Sequence, residues 1–231
     1  MTNLDDDMRT YYDQRAPEYD DWYDRVGRYD DPTTNALWHV EVRRLEVFAD
    51  AFGDGRLLDI ACGTGRWTAR FAANPRVTSI VGLDQSDEML GETRARLAKA
   101  GQSADLIRGD AYALPFPDAS FDCCFTGFFL SHVPLDTVPT FLAEVRRILR
   151  PVGQLLIFDS LLPGGKDAPV EVQVRSLNDG SHHRVLKVYY TSETLAEALA
   201  SIATPDHMAT ERTGRFFVVG RCRTPGAAAA G

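Results

Sequence analysis

The segment from Arg56 to Thr68 limits the possible folds of this chain more than any other. It reads Arg-Leu-Leu-Asp-Ile-Ala-Cys-Gly-Thr-Gly-Arg-Trp-Thr and predicts a buried strand over residues 57–61, a tight turn and a helix that begins at Trp67. Gly63 and Gly65 suit the turn because a side chain would block its backbone angles and the close approach of a ligand. Such a unit is typical of nucleotide-cofactor sites, although a short Gly-x-Gly turn alone is not specific.

Length and composition predict one soluble globular domain over residues 1–223. The chain has 231 residues, of which 44% are hydrophobic, and this is enough for one substantial core. No apolar run approaches the roughly 20 residues that span a bilayer, and the N-terminus is acidic and polar, unlike a secretory signal. We therefore expect a cytoplasmic protein with no membrane partner.

Charge and cysteine content exclude further classes of protein. The net charge is −8, and residues 1–35 alone hold ten acids and four arginines. An acidic surface repels phosphate backbones, so we expect no nucleic-acid partner. The alternative is that these acids simply form a solvent-exposed face of the protein. The four cysteines, at positions 62, 123, 124 and 222, have no zinc-site or disulfide spacing, which predicts no metal and a reducing compartment.

Strand and helix patterns alternate along the chain. After the first strand, buried strands are predicted over 77–83, 104–108, 123–129 and 154–159, and helices over 34–52, 67–73, 87–100, 137–149 and 193–202. Alternation of this kind predicts a doubly wound, mostly parallel sheet in which ligands bind at the carboxyl ends of the strands.

Asp84 ends the second predicted strand, nineteen residues beyond Gly65. A carboxylate at this place in a βαβ unit can accept hydrogen bonds from both hydroxyls of a ribose. The alternative is an ordinary loop acid. The position directly after the second strand favours ribose binding.

The N-terminal region, residues 1–52, is predicted to form a helical lid. Residues 8–25 carry tyrosines and a tryptophan at helical spacings, among them Tyr12, Tyr19 and Tyr23. An aromatic stripe can serve simply as packing, or it can cover a bound ligand. Both interpretations stay open on the sequence alone.

Four motifs taken together resemble class I S-adenosylmethionine-dependent methyltransferases, in the small-molecule branch that includes quinone-biosynthesis and antibiotic-tailoring enzymes. They are Leu-Asp-Ile-Ala-Cys-Gly-Thr-Gly at 58–65, Val-Gly-Leu-Asp-Gln-Ser at 81–86 with Met-Leu at 89–90, Gly-Asp-Ala at 109–111 and Phe-Asp at 121–122. The resemblance covers roughly residues 8–160. It implies a Rossmann-like fold that two closing strands, about 207–213 and 215–223, complete to seven strands.

The resemblance also implies S-adenosylmethionine as cofactor and S-adenosylhomocysteine as product. It assigns the methionine end to Asp59 and to the turn from Gly63 to Gly65, the ribose to Asp84, and the adenine to Gln85, Asp110 and Ala111. Backbone at Thr126 and Gly127 would contact the sulfonium-bearing chain, and Tyr11 and Tyr19 would close over it.

A nicotinamide or flavin enzyme is the main rival for a Gly-x-Gly turn. Its fingerprint requires a third small residue three positions after Gly65, where this chain has Thr68 behind the bulky Trp67. The rival also leaves Gly109-Asp110-Ala111 unexplained. The sulfonium cofactor therefore fits the motifs better.

His132 is the candidate catalytic base, because it follows the fourth strand at the mouth of the predicted cofactor site. Its alternative role is to shape the pocket, and the tandem His182 and His183 are second choices.

We expect methyl transfer to O, N or C of a small organic molecule of secondary metabolism, by a monomer or homodimer. A cofactor-dependent cyclase and a non-catalytic cofactor-binding module are the alternatives.

Residues 161–190 are predicted to be an insertion after the fifth strand that forms a β-hairpin around Asn178-Asp179-Gly180. Arg175, Arg184 and Lys187 in this insertion are candidates for binding an anionic group, with exposed edge-strand charge as the alternative. Residues 224–231 are predicted to be a disordered tail.

Overall fold

The computed structural model of the chain describes residues 4–165 and 168–226. Its helices are α1 (Leu4–Arg15), α2 (Asp21–Asp24), α3 (Asn35–Ala51), α4 (Arg66–Ala72), α5 (Asp87–Lys99), α6 (Val138–Ile148) and α7 (Ser192–Leu199). Its strands are β1 (Gly55–Ile60), β2 (Val77–Asp84), β3 (Asp105–Arg108), β4 (Phe121–Gly127), β5 (Leu149–Ser160), β6 (Val170–Ser176), β7 (His182–Val188), β8 (Met208–Arg212) and β9 (Phe217–Arg223).

Seven of the strands form one sheet in the order β3-β2-β1-β4-β5-β9-β8. The first five are parallel, and β9 and β8 add to the edge in antiparallel pairs. The strand order reverses between β1 and β4, which opens a crevice at their carboxyl ends. The predicted Rossmann-like fold with seven strands is confirmed.

The central strands are buried on both faces and therefore supply two cores. Leu58 and Ile60 of β1 point into the core that α6 covers, whereas Leu57 packs in the other core with Trp67 and Phe71 of α4. Alternate residues of a strand face opposite sides of a sheet, which explains the unbroken apolar runs seen in the sequence. Within the described residues, no helix is both long and apolar enough to cross a membrane.

The N-terminal segment lies across the carboxyl edge of the sheet and against the hairpin. Tyr11 is fully buried in a small cluster with Leu177 and Val185 of the hairpin. Tyr23 packs in the core on the α4 side, where its hydroxyl oxygen accepts a hydrogen bond from Trp67 Nε1 at 3.0 Å. The aromatic stripe therefore does extensive packing.

The hairpin of β6 and β7 forms a separate two-stranded sheet, as the turn signal predicts. Its orientation is unusual, because Val170, Val172 and Val174 are 39%, 53% and 70% exposed. The polar residues between these valines face the protein instead. The burial pattern of β6 is thus the opposite of that in an ordinary amphipathic strand.

The chain stays ordered slightly beyond the predicted end of the domain. Thr224 is buried, its N–H donates to Gly153 O at 2.9 Å and its hydroxyl donates to Arg150 O at 2.9 Å. The prediction that disorder begins at residue 224 is therefore wrong for Thr224. Residues 227–231 of the predicted tail lie outside the described residues.

Glu41 of α3 fixes the connection between β8 and β9. Its carboxylate is fully buried and accepts hydrogen bonds from Thr213 Oγ1 at 2.7 Å, Arg215 N at 2.6 Å and Phe216 N at 3.0 Å. A buried carboxylate is tolerated when donors satisfy it, and here it satisfies two backbone N–H groups in return.

We expect Glu41→Ala to destabilise the protein by about 3 kcal/mol, because it leaves buried N–H groups without an acceptor and opens a cavity. Thermal unfolding should show a midpoint lower by about 6–12 °C. The matched control is Glu197→Ala on the exposed face of α7, which should change the midpoint little. Equal midpoints for the two variants would contradict the role assigned to Glu41.

Candidate functional site

Two cavities meet at the carboxyl edge of the parallel strands. The smaller, of about 620 Å³, lies over the ends of β1, β2 and β4, and the larger, of about 940 Å³, lies between the N-terminal segment, the hairpin and the β8–β9 connection. Tyr12, Tyr19, Phe128 and His132 line both. These four residues are termed here the shared wall. Ligands bound in the two cavities would come together beside them.

The turn after β1 is built from residues with left-handed backbone. Ala61, Gly63 and Gly65 have φ of 56°, 57° and 75°. A Cβ on Gly65 would lie 2.7 Å from the Thr93 side chain, so the glycine is needed for close packing of α4 on α5. Gly63, by contrast, lines the smaller cavity with its backbone.

Asp84 is a buried carboxyl in the wall of the smaller cavity. Its Oδ2 accepts a hydrogen bond from Gly63 N at 2.8 Å, and its Oδ1 accepts one from Ser86 N at 3.0 Å. Burial raises the pKa of this carboxyl, while the same backbone donors act in the opposite direction. Each oxygen keeps a further lone pair, so the side chain can still accept two hydrogen bonds from a ligand.

Most of the predicted cofactor residues meet in this cavity. Its lining includes Tyr19, Gly63, Asp84, Gln85, Asp110, Ala111, Gly127 and the candidate base His132. A hydrogen bond within the turn stabilises residues 110–112: Asp110 Oδ1 accepts from Tyr112 N at 2.8 Å.

Asp59 lies in a small pocket that shares Tyr19, Ala61, Gly63 and Gly127 with the smaller cavity. The carboxyl is buried, and Thr68 Oγ1 donates to its Oδ2 at 2.6 Å. Burial raises the pKa of Asp59 to about 7, and the Asp84 charge adds to the rise while the Thr68 hydrogen bond opposes it. A cationic group nearby would stabilise the ionised form.

The structure does not bring Tyr11, Gly65 or Thr126 to the cavity wall. Tyr11 packs under the hairpin, and Gly65 packs on Thr93. Thr126 is fully buried within β4, and its hydroxyl has no hydrogen-bond partner.

Tyr12, rather than the predicted Tyr11, lines both cavities. Adjacent residues on a helix point about 100° apart, so the aromatic spacing could not decide which of the two faces the ligand. Other lining residues that the motifs did not single out include Met8, Met89, Arg108, Tyr112 and Phe129. Tyr112 directly follows the predicted turn at 109–111, and Phe129 is the last residue of the predicted strand 123–129; these positions are the signal that could have identified them.

His132 is held in one tautomer by two hydrogen bonds. Its Nδ1 lies 2.7 Å from Leu186 O, which can only accept, so Nδ1 carries the proton. Its Nε2 lies 2.8 Å from the Tyr12 hydroxyl and accepts from it. Burial, followed by the charges of Lys187 and Arg175, holds the pKa of His132 well below its usual value. The imidazole is therefore neutral, with its lone pair at the shared wall.

Phe128 combines a strained backbone with tight packing. Its φ is 61°, a conformation that costs a bulky residue about 1 kcal/mol or more. Its N–H donates to Phe158 O at 2.7 Å, and its ring packs 4.8 Å from Trp22 and 5.4 Å from Phe217, measured between ring centroids. The strained residue, Phe128, therefore lies between the two cavities.

The hairpin cations occupy different environments. Arg175 and Lys187 line the larger cavity, and Lys187 is only 7% exposed. Arg184 instead pairs with Asp7 at 2.7 Å on the surface. His182 and His183 bond to the hydroxyls of Ser176 and Ser181 and line neither cavity. The alternative of exposed edge-strand charge is thus wrong for Lys187.

Comparisons with known proteins find methyltransferases. A family profile described as "Methyltransferase domain" matches residues 57–153. The chain is 34% identical over 143 residues to a demethylmenaquinone methyltransferase of Listeria monocytogenes, a match covering 61% of this chain and 58% of that protein. It is 42% identical over 110 residues to the ubiquinone/menaquinone biosynthesis C-methyltransferase UbiE of Paracoccus denitrificans, covering 46% of this chain and 43% of that one.

Among solved structures, a DhpI–SAH complex is similar over nearly the whole chain. It is 26% identical with a TM-score of 0.73, and the match covers 97% of this chain and 98% of that one. The predicted resemblance to class I methyltransferases is confirmed. The chain spans about half the length of the curated relatives it matches.

The hydrogen bonds of His132 predict a neutral, Nδ1-protonated ring between about pH 6 and pH 8, in contrast to an unperturbed histidine that titrates in this range. Long-range ¹⁵N–¹H correlation spectra of the imidazoles should show one ring with unchanging shifts, and His132→Asn should remove it. A His132 signal that shifts between about pH 6 and pH 8 would contradict the assignment.

Proposed function

We propose that this protein, whose residues 57–153 form a methyltransferase domain, is an S-adenosylmethionine-dependent methyltransferase of small organic molecules. The observation that carries the proposal is the pair of cavities that meet at the shared wall. Methyl transfer from a sulfonium is an in-line displacement, so two ligands must face each other across a dry boundary. The shared wall provides such a boundary, with Tyr12, Tyr19 and Phe128 excluding water.

The smaller cavity, together with the small pocket beside it that holds Asp59, fits the cofactor in volume and in hydrogen-bond acceptors. Two buried carboxylates, Asp59 and Asp84, suit a ligand that carries positive charge and a diol. We assign Asp59 to the amino group of the methionine end and Asp84 to the ribose hydroxyls. Gln85, Asp110 and Ala111 would hold the adenine, and the backbone of Gly63 and Gly127 would line the methionine chain. The bound cofactor supplies the electrophilic methyl group and leaves as S-adenosylhomocysteine.

The acceptor is proposed to be a small molecule of secondary metabolism, methylated at O, N or C. Nearly all of the larger cavity is lined by residues outside 57–153; Phe128 and His132 are the lining residues within that range. The match to quinone methyltransferases therefore supports the proposed cofactor more directly than it supports any particular acceptor. For this reason we do not carry the quinone substrate over to this chain.

His132 is our candidate base for an acceptor that loses a proton. The lone pair of Nε2 points to the Tyr12 hydroxyl at the shared wall, and the Leu186 carbonyl holds the ring in this orientation. A proton from the acceptor would reach Nε2 through Tyr12 or after Tyr12 rotates away. The N-terminal segment that carries Tyr12 and Tyr19 would act as the lid.

We further propose that the protein works in the cytoplasm as a monomer or homodimer.

Transfer of label from methyl-labelled S-adenosylmethionine to candidate acceptors tests the proposal. Asp84→Ala should weaken S-adenosylhomocysteine binding on the order of 100-fold, because two hydrogen bonds to a buried carboxylate are lost. Glu88→Ala, an exposed acid at the start of α5, is the control and should bind normally. His132→Ala should bind the cofactor normally and lose turnover.

Other outcomes of the same assay would favour the alternatives. Conversion of an acceptor without transfer of label would indicate a cofactor-dependent cyclase or a related reaction. Cofactor binding with no acceptor turned over in a broad panel would indicate a binding module. Failure to bind S-adenosylhomocysteine would contradict the proposal as a whole.

Cofactor affinity should also depend on pH through Asp59. Its pKa of about 7 without ligand means that part of the population must lose a proton to pair with the cofactor amino group. Affinity should therefore be full above pH 7 and fall as the pH is lowered, by roughly tenfold per unit at most. Calorimetric titration between about pH 8 and pH 6 measures this effect. Asp59→Asn should bind more weakly and lose the pH dependence; an unchanged slope in that variant would contradict the assignment.

A further inference from the structure

The larger cavity has a charge opposite to that of the protein. The chain carries a net charge of −8, yet the charged residues in the described lining of this cavity are all cations: Arg15, Arg28, Arg175, Lys187, Arg212 and Arg215. A cavity with walls of low dielectric and charge of one sign concentrates ligands of the other sign. The segregation of charge thus points to an anionic ligand.

Three of these cations, Arg15, Arg175 and Lys187, lie close together; they are termed here the basic triad. The guanidinium carbons of Arg15 and Arg175 lie 5.4 Å and 5.8 Å from the centre of the same Tyr11 ring. Burial lowers the pKa of Lys187 to about 7, and the charges of Arg175 and Arg15 act in the same direction, while the charge of Asp159 opposes them. The triad is therefore a site of like-charge repulsion.

The hydrogen-bond partners of the triad are neutral. Arg175 donates through Nε and Nη2 to Gln173 Oε1, and Lys187 donates to Ser131 Oγ at 2.9 Å and Ser160 Oγ at 2.6 Å. Arg15 is 5% exposed, and its buried Nε has no hydrogen-bond partner. Among the described residues, no carboxylate forms an ion pair with any member of the triad.

Buried cations without a paired anion are costly, and proteins normally pair them. The hairpin adds to this cost, because it exposes Val170, Val172 and Val174 while it turns Gln173 and Arg175 toward the cavity. Packing alone would favour the opposite register. An anionic ligand seated between the three cations would account for both features.

We propose that the methyl acceptor carries an oxyanion group, a phosphonate, phosphate or carboxylate, which the basic triad of Arg15, Arg175 and Lys187 holds in the larger cavity. This inference rests on the proposed function and specifies its substrate class. Guanidinium groups match the oxygens of such groups in paired hydrogen bonds, and the lysine adds a compact charge. Ser131, which accepts from Lys187, directly precedes His132, so the anchored acceptor lies beside the shared wall.

Calorimetric titration of the full chain tests the inference. The protein is first saturated with S-adenosylhomocysteine and then titrated with methylphosphonate, inorganic phosphate, acetate and the neutral acetamide. We expect millimolar or tighter binding of at least one anion and no measurable binding of acetamide. The order of the anions shows whether a tetrahedral or a planar oxyanion is preferred.

Variants locate the binding. Arg175→Met and Lys187→Met should each weaken binding of the preferred anion by about tenfold or more, because each removes a charged donor. Arg184→Met, on the same hairpin but paired with Asp7 outside the cavity, should leave it unchanged. Circular dichroism melts identify any variant that does not fold, and either triad variant alone is sufficient for the comparison.

The first titration separates the two proposals. If S-adenosylhomocysteine does not bind, the proposed function fails. If it binds, but the anions do not bind, or bind equally well to the wild type and to both triad variants, the inference about the acceptor is overturned while the proposed function stands.

Discussion

The hydrogen bond from Gly63 N to Asp84 Oδ2 joins the turn after β1 to the end of β2, and the candidate cofactor cavity depends on it. It ties together the carboxyl ends of two neighbouring parallel strands, next to the point between β1 and β4 where the strand order reverses. The Ser86 N–H holds the other oxygen of the same carboxylate and begins α5. One buried side chain therefore fixes a strand end, a glycine turn and a helix start, and it still has lone pairs for a ligand.

The parts of the structure that follow from local chemistry could be predicted from the sequence. Apolar runs gave the parallel strands, glycine at positions 63 and 65 gave the turn, and strand-end spacing gave Asp84. Side-chain direction could not be predicted in the same way. Tyr12 rather than Tyr11 lines the cavity because of a single helical step, and Lys187 is buried because the hairpin packs against α1 and the shared wall. Such contacts join residues far apart in the chain.

The charge distribution separates the outside of the molecule from the larger cavity. Acids of the N-terminal arm pair with surface arginines, as in Glu18 with Arg28 and Asp7 with Arg184. The Asp7–Arg184 pair lies on the surface and contributes little to stability, whereas the Glu18–Arg28 pair neutralises a cation that lines the larger cavity. The hydrogen-bond partners of the basic triad inside are uncharged. The sequence total of −8 conceals this arrangement, because net charge carries no information on where charges lie in the fold.

The hairpin of β6 and β7 shares no strand pairing with the main sheet, although it supplies Arg175 and Lys187 to the larger cavity. Mutations in it can alter the chemistry of that cavity without changing the register of the seven-stranded core. Such mutations must keep the Leu186 carbonyl in place, because it orients His132 at the shared wall of both cavities. A lineage can keep the smaller cavity constant and acquire new selectivity by replacing about twenty residues, which makes this hairpin a natural target for laboratory grafting between related proteins.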